Sequence, residues 1–131
     1  MARPKHEQPT PAELEVLQVL WDNGPCNVRQ VMAVLKRARP RAYTSVMSLM
    51  NVMTDKGQLS RRLDGRAYVY EPAEARDNTL GQMVGDLLSR AFEGSTSALV
   101  AQLLDQTNPS PAELEEIRRT IEAYRPQSED A

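Results

Sequence analysis

Apolar residues recur along the chain at two different periods, and the places where the period changes mark its elements. In TPAELEVLQVLWDNG, Leu14, Leu17 and Leu20–Trp21 return at helical spacing until Gly24-Pro25 stops the run. The segment opens with helix-entry chemistry. Thr10 can cap, Pro11 takes the first helical position, and Glu13 lies three residues after Thr10 to complete a capping box. CNVRQVMAVLKRA repeats the logic, with Asn27 and Gln30 as a second box and Val28, Val31, Met32 and Leu35 on one face; Pro40 bars continuation. In AYTSVMSLMNVM, Val46, Leu49, Met50 and Met53 form a third core-facing stripe, and Gly57 is suited to a left-handed cap after Lys56.

The period then drops to two. Leu59–Leu63 and Arg66–Tyr70 flank Asp64-Gly65, a turn dipeptide, so a β-hairpin is predicted, closed by Pro72. Beyond Ala73 the helical period returns. Leu80, Met83, Val84, Leu87, Leu88, Ala91 and Phe92 cover a broad face up to Gly94. Ser95–Gln106 carries Leu99, Val100, Leu103 and Leu104, and SPAELEEIRRTIEAYR carries Leu114, Ile117, Ile121 and Tyr124. The second PAELE reuses a helix start, since the apolar positions that follow it differ from those after the first. The final PQSEDA is read as a flexible tail.

The third helix has a second side that its core stripe does not explain. Thr44, Ser48, Asn51 and Asp55 fall at helical spacing on a different face, with Ser45 beside them, all but one uncharged. An ordinary solvated face is the plain reading. Charge distribution shifts that balance. The net charge of −2 is an average over unlike halves. Residues 1–72 hold eleven Lys and Arg against seven Asp and Glu, whereas residues 73–131 hold five against eleven. Lys36, Arg37, Arg39, Arg41, Lys56, Arg61, Arg62 and Arg66 crowd around the third helix against only Asp55 and Asp64. A basic half suggests a polyanionic partner.

Three helices followed by a hairpin is the order of a winged helix, a helix-turn-helix variant whose second motif helix enters the major groove. A groove-facing helix needs short side chains that donate or accept at base edges, with cations on its flanks for phosphate. Thr44, Ser45, Ser48 and Asn51 fit the first role, and Asn51 could read adenine bidentately. Arg39, Arg41, Lys56, Arg61, Arg62 and Arg66 fit the second, while Tyr43 and Tyr68 could contact phosphate or merely pack. Tyr70 suits packing between hairpin and helix. The expected fold is thus mainly α with a small β-hairpin wing: a DNA-binding domain over 1–72 and a helical dimerisation domain over 73–131.

Other chemistries find little support. One cysteine, Cys26, leaves no disulfide framework within the chain and no multi-cysteine metal site, and it suits a small core position. His6 stands alone near the terminus, and glycine-rich phosphate loops and HExxH are absent from the sequence, so neither enzyme activity nor a cofactor or metal is expected. MARPKHEQP lacks the apolar run of a signal peptide and no stretch approaches a membrane span, which points to a cytoplasmic protein without membrane insertion. The apolar faces of the second half need a cover. Self-association through Leu80, Val84, Leu87, Leu88, Phe92, Leu99, Leu103, Leu114 and Ile117 would supply it and would present two recognition helices to a palindrome. The alternative is that these helices fold back on their own domain.

TPAELEVLQVLWDNGPCNVRQVMAVL, AYTSVMSLMNVMTDKGQL, GRAYVYEP and GSTSALVAQLLD…SPAELEEIRRTI together resemble the penicillinase-repressor family (BlaI/MecI type) over about residues 8–124. The resemblance implies a homodimeric winged-helix repressor on inverted-repeat operators, often with TACA/TGTA half-sites. It places Tyr43, Thr44, Ser45, Ser48 and Asn51 on the recognition helix and Arg61, Arg62, Arg66 and Tyr68 on the wing. It also implies a link to a membrane sensor protease, whose signalling ends in cleavage of the dimerisation region. Two positions depart from the family pattern. Val52 stands where relatives commonly carry a cation, and Gln102-Leu103 replaces the Asn-Phe bond cut in antibiotic-responsive members. The C-terminal cysteine cluster of the copper-responsive branch is missing as well. Val52 and the net negative charge leave open a second reading, a winged-helix protein-interaction module without sequence-specific DNA reading.

Overall fold

The computed structural model describes residues 8–127, so His6 and the last four residues of the tail lie outside the described part. The order is α1 (Pro11–Asn23), α2 (Val28–Leu35), α3 (Tyr43–Asp55), β1 (Leu59–Asp64), β2 (Ala67–Pro72), α4 (Arg76–Ala91), α5 (Thr96–Thr107) and α6 (Pro111–Ala123). Both predicted capping boxes form. The Thr10 hydroxyl accepts from the Glu13 amide at 3.2 Å while the Thr10 amide donates to Glu13 Oε1 at 3.0 Å, and Asn27 and Gln30 exchange the same pair of bonds at 2.8 Å. Gly57 (φ 84°) ends the α3 turn in the left-handed region, where any Cβ would be strained.

The chain divides into two compact units, one ending at Val84 and the next beginning at Gly85. In the first, Val16, Leu17, Val19 and Leu20 of α1, Val28, Val31 and Leu35 of α2, and Val46, Met50 and Met53 of α3 close one core. Leu59, Tyr70 and Cys26 complete it, and Trp21 and Leu49 pack at its margin. β1 and β2 pair antiparallel, with Leu59 opposite Pro72 and Asp64 opposite Ala67. The hairpin turn therefore lies one residue later than the sequence suggests. Its two central residues are Gly65 (φ 69°) and Arg66, with the glycine at the first central position as in a type II′ turn, and Arg66 sits at the tip instead of in the strand.

A further backbone pairing anchors this hairpin. Cys26 and Tyr70 exchange both main-chain hydrogen bonds, at 3.1 and 2.8 Å, so the loop between α1 and α2 acts as a one-residue third strand against β2. The Cys26 thiol, which burial pushes up in pKa, donates to the Gly24 carbonyl at 3.3 Å. It is a core group.

In the second unit, Ser95 caps α5 by accepting from the Ala98 amide, Asn108 (φ 47°) closes it in the left-handed region, and Ser110 caps α6. No residue of α5 or α6 is buried. No helix among the described residues is long and apolar enough to cross a membrane.

Candidate nucleic-acid interface

α3 is amphipathic in the way its sequence predicts. Val46, Met50 and Met53 are buried, while Tyr43, Thr44, Ser45 and Ser48 are exposed. Ala42 offers no side-chain cap, so the first-turn amides of α3 lack a side-chain acceptor and remain suited to an anion. Along the hairpin the side chains alternate. Leu59, Arg61 and Leu63 share a face with Tyr70 and Tyr68, and Arg62 opposite Val69 points the other way. The first face turns toward α3 and with it walls a groove of about 290 Å³, lined by Asn51, Arg61, Arg66 and Tyr68 and, on the other side, by Arg29 and Tyr43.

Several contacts fix the polar groups of this groove. Arg61 Nη1 donates to Asn51 Oδ1 at 2.9 Å, and the Tyr70 hydroxyl donates to the same oxygen at 3.3 Å. The Arg61 guanidinium also lies over the Tyr68 ring, 4.2 Å from its centre, and Tyr68 meets Tyr70 edge to face. Tyr70, through its hydroxyl, favours the charged guanidinium further. Across the groove, Arg29 sits 5.2 Å over the Tyr43 ring. Arg29 is a member that sequence reasoning missed. It lies on α2, and only the tertiary approach of the starts of α2 and α3 brings it beside Tyr43.

The other candidates separate into three groups. Thr44 and Ser48 are exposed on α3, and Val52 lies half-exposed on the same side, one turn beyond Ser48. Ser45 and Arg39 border a separate cleft with Glu15 and Arg41. Arg62 is exposed on the far face of the wing.

Two expected phosphate contacts are corrected. Lys56 and Glu13 are each only 4% exposed in their side chains, and Lys56 Nζ reaches Glu13 Oε2 at 2.7 Å, so this cation is spent inside the fold. Gln58 Nε2 adds a bond to Glu13 Oε1 at 3.1 Å. Burial raises the Glu13 carboxyl, but the bonds from Lys56, the Thr10 amide and Gln58, together with the Lys56 charge, outweigh it and leave the pKa below the ordinary 4.5. Arg41 is the second case. Its side chain is 11% exposed, with Nη2 3.0 Å from Glu15 Oε1. That pair is close in charge but poorly aligned, since Nε and Nη2 are buried without a hydrogen-bond partner. Both cations tie α3 and the segment before it to α1.

Of the residues expected to pair chains, Val84, Leu87, Leu103 and Leu114 are exposed, and Leu80, Leu88, Phe92, Leu99 and Ile117 are half-buried. Gln102 and Leu103 both lie inside α5 and are exposed. No group of three or more His, Cys, Asp or Glu side chains among the described residues could hold a metal ion.

A three-helix core, a hairpin anchored against it and a polar helix face between exposed arginines define a winged-helix protein of the DNA-binding type. The penicillinase repressor family profile matches residues 9–123. The chain is 24% identical over 121 residues to the penicillinase repressor of Bacillus licheniformis, covering 92% of this chain and 94% of that one. It is 30% identical over 111 residues to the transcriptional regulator BlaI of Mycobacterium tuberculosis, covering 83% and 79%. The fold is similar to the solution structure of the DNA-binding domain of the repressor BlaI, at a TM-score of 0.50 and 24% identity, over 60% of this chain and 93% of that one. The chain belongs to the penicillinase repressor family.

Proposed function

We propose that this protein, a DNA-binding transcriptional repressor by its family, works as a homodimer on an inverted-repeat operator. α3 enters the major groove, and Arg61, Arg66 and Tyr68 of the wing, with Arg29 of α2, hold the flanking phosphates. The observation that carries the reading is the groove itself. On α3 the exposed Thr44 and Ser48 lie beside this groove, in which Asn51 meets three exposed guanidinium groups, those of Arg29, Arg61 and Arg66, an arrangement that suits a division of labour between base reading and backbone positioning. Residues up to Pro72 do the DNA work, and the helices from Ala73 onward pair two chains.

Support for pairing comes from the second half. Leu103 is 55% exposed and Ile121 65%, and α5 and α6 bury nothing, so their apolar side chains await a cover of the same kind. A second copy is the occupant proposed, because a twofold pair sets two α3 helices on half-sites about 34 Å apart. A membrane sensor protease would act on the pairing helices, and to cut at Gln102-Leu103 it would first have to unwind α5.

Recovery of bound genomic DNA tests the reading together with sedimentation. The expected result is an inverted repeat upstream of a few genes and a particle of twice 14.7 kDa. Random DNA recovery would favour the protein-interaction module, and a clean monomer at micromolar concentration would remove the half-site geometry.

A further inference from the structure

Asn51 is held more tightly than a solvated helix residue needs to be. Both lone pairs of its Oδ1 are engaged, one by Arg61 Nη1 at 2.9 Å and one by the Tyr70 hydroxyl at 3.3 Å. The orientation of the amide follows from chemistry alone. A guanidinium offers donors and no acceptor, so a reversed amide would set its NH₂ against other N–H groups. Neither clamp is loose. Tyr70 is 2% exposed and paired through its backbone to Cys26, and Arg61 is stacked on Tyr68. Asn51 lines the groove, and its Nδ2 carries two N–H donors that make no hydrogen bond among the described residues.

We propose, resting on the DNA-reading function above, that Asn51 is a specificity-determining residue that presents donors only and selects guanine. Guanine offers two adjacent acceptors, O6 and N7, in the major groove, whereas cytosine offers only its N4 donor. Bidentate reading of adenine, the role its residue type suggests, needs a free carbonyl oxygen, and here the wing has taken it. The wing thus sets the hydrogen-bonding sense of a side chain on the recognition helix. Arg61 serves as a positioning residue in this arrangement as well as a candidate phosphate contact.

The test is selection of full-length protein on a randomised DNA library at one fixed salt concentration, comparing wild type, Asn51→Asp and Asn51→Ala. Aspartate keeps the shape and both acceptor contacts to Arg61 and Tyr70 but replaces the two donors with an acceptor. Wild type should enrich guanine at one symmetry-related position of each half-site. Asn51→Asp should enrich cytosine there with the rest of the site unchanged, and Asn51→Ala should lose the preference. Direct competition between the two sites should show roughly tenfold discrimination or more, of opposite sign in wild type and Asn51→Asp. Matching circular dichroism and thermal midpoints establish that the aspartate variant is folded. A wild-type preference for adenine that disappears in Asn51→Ala would overturn the donor-only assignment. Unchanged preferences in both variants would reduce Asn51 to a structural latch while leaving the repressor reading intact. No enriched sequence with wild type would overturn that reading itself, and this inference with it.

Discussion

Lys56→Met tests the reassignment of a surface cation to the interior. The variant keeps the aliphatic stem of the side chain and removes only its ammonium. Glu13, 4% exposed, would retain bonds from the Thr10 amide and Gln58 but lose the Lys56 countercharge at 2.7 Å. Stranding one member of a buried ion pair costs about 3–5 kcal/mol, whereas an exposed pair is worth at most about 1 kcal/mol. With total stability on the order of 5–15 kcal/mol, a loss of that size is a large part of the whole. At a mid-range urea slope it moves the unfolding midpoint down by about 2 M.

Trp21 is the natural reporter, half-buried at the core margin with Nε1 donating to the Glu74 carbonyl at 3.3 Å. Chain concentration must be held equal, because association would itself shift the midpoint. Acidity supplies a second signature. Wild-type Glu13 has a lowered pKa, so its contribution is complete above 4.5 and lost as pH falls through the lower folded value. In Lys56→Met the remaining burial raises the carboxyl, so the gap between variant and wild type should narrow below that pH. DNA binding measured where both are folded should keep its salt slope. A stability loss under 1 kcal/mol, joined to a slope shallower by about 0.9, would return Lys56 to the phosphate contacts.

Other expectations concern the wing and the thiol. Arg66→Ala should make log affinity less steep in log salt by about 0.9 without changing the preferred sequence, whereas Arg41→Ala, removing a buried group, should leave that slope alone; salt-dependent fluorescence anisotropy separates the two. Cys26, buried and with its pKa raised by that burial, should react with a thiol reagent only as fast as the first unit opens. Rapid stoichiometric labelling of folded protein at pH 8 would contradict its core placement.

The local grammar of the fold was legible residue by residue. Thr10–Glu13 and Asn27–Gln30 announce two helix starts because the acceptor and donor lie three residues apart, within reach of sequence. Glu13 shows where that legibility ends. Its capping role is local, yet its partners Lys56 and Gln58 lie more than forty positions away, and nothing in the spacing marks the carboxylate as buried. The hairpin turn slipped one residue for a related reason. Asp64-Gly65 marks a turn, but the pairing of Leu59 with Pro72, set by the core, decides which two residues sit at the tip. On α3, short polar residues marked the exposed face, whereas the place of Arg29 and the clamped amide of Asn51 depend on which elements meet. Sequence names the side chains; tertiary contact decides which of their atoms remain available.

The exchange of hydrogen bonds between Cys26 and Tyr70 has a consequence during synthesis. A chain grows from its N-terminus, and α1, α2 and α3 can form their local hydrogen bonds as they emerge. The strand that anchors the wing is made later and must close a long loop back to the α1–α2 connection. A chain that stops after α3 has neither clamp for Asn51; Arg61 comes next and Tyr70 last. A ribosome-bound fragment ending at α3 therefore carries Asn51 without its settings, and the arrangement proposed to select an operator is complete only with the last strand of the hairpin.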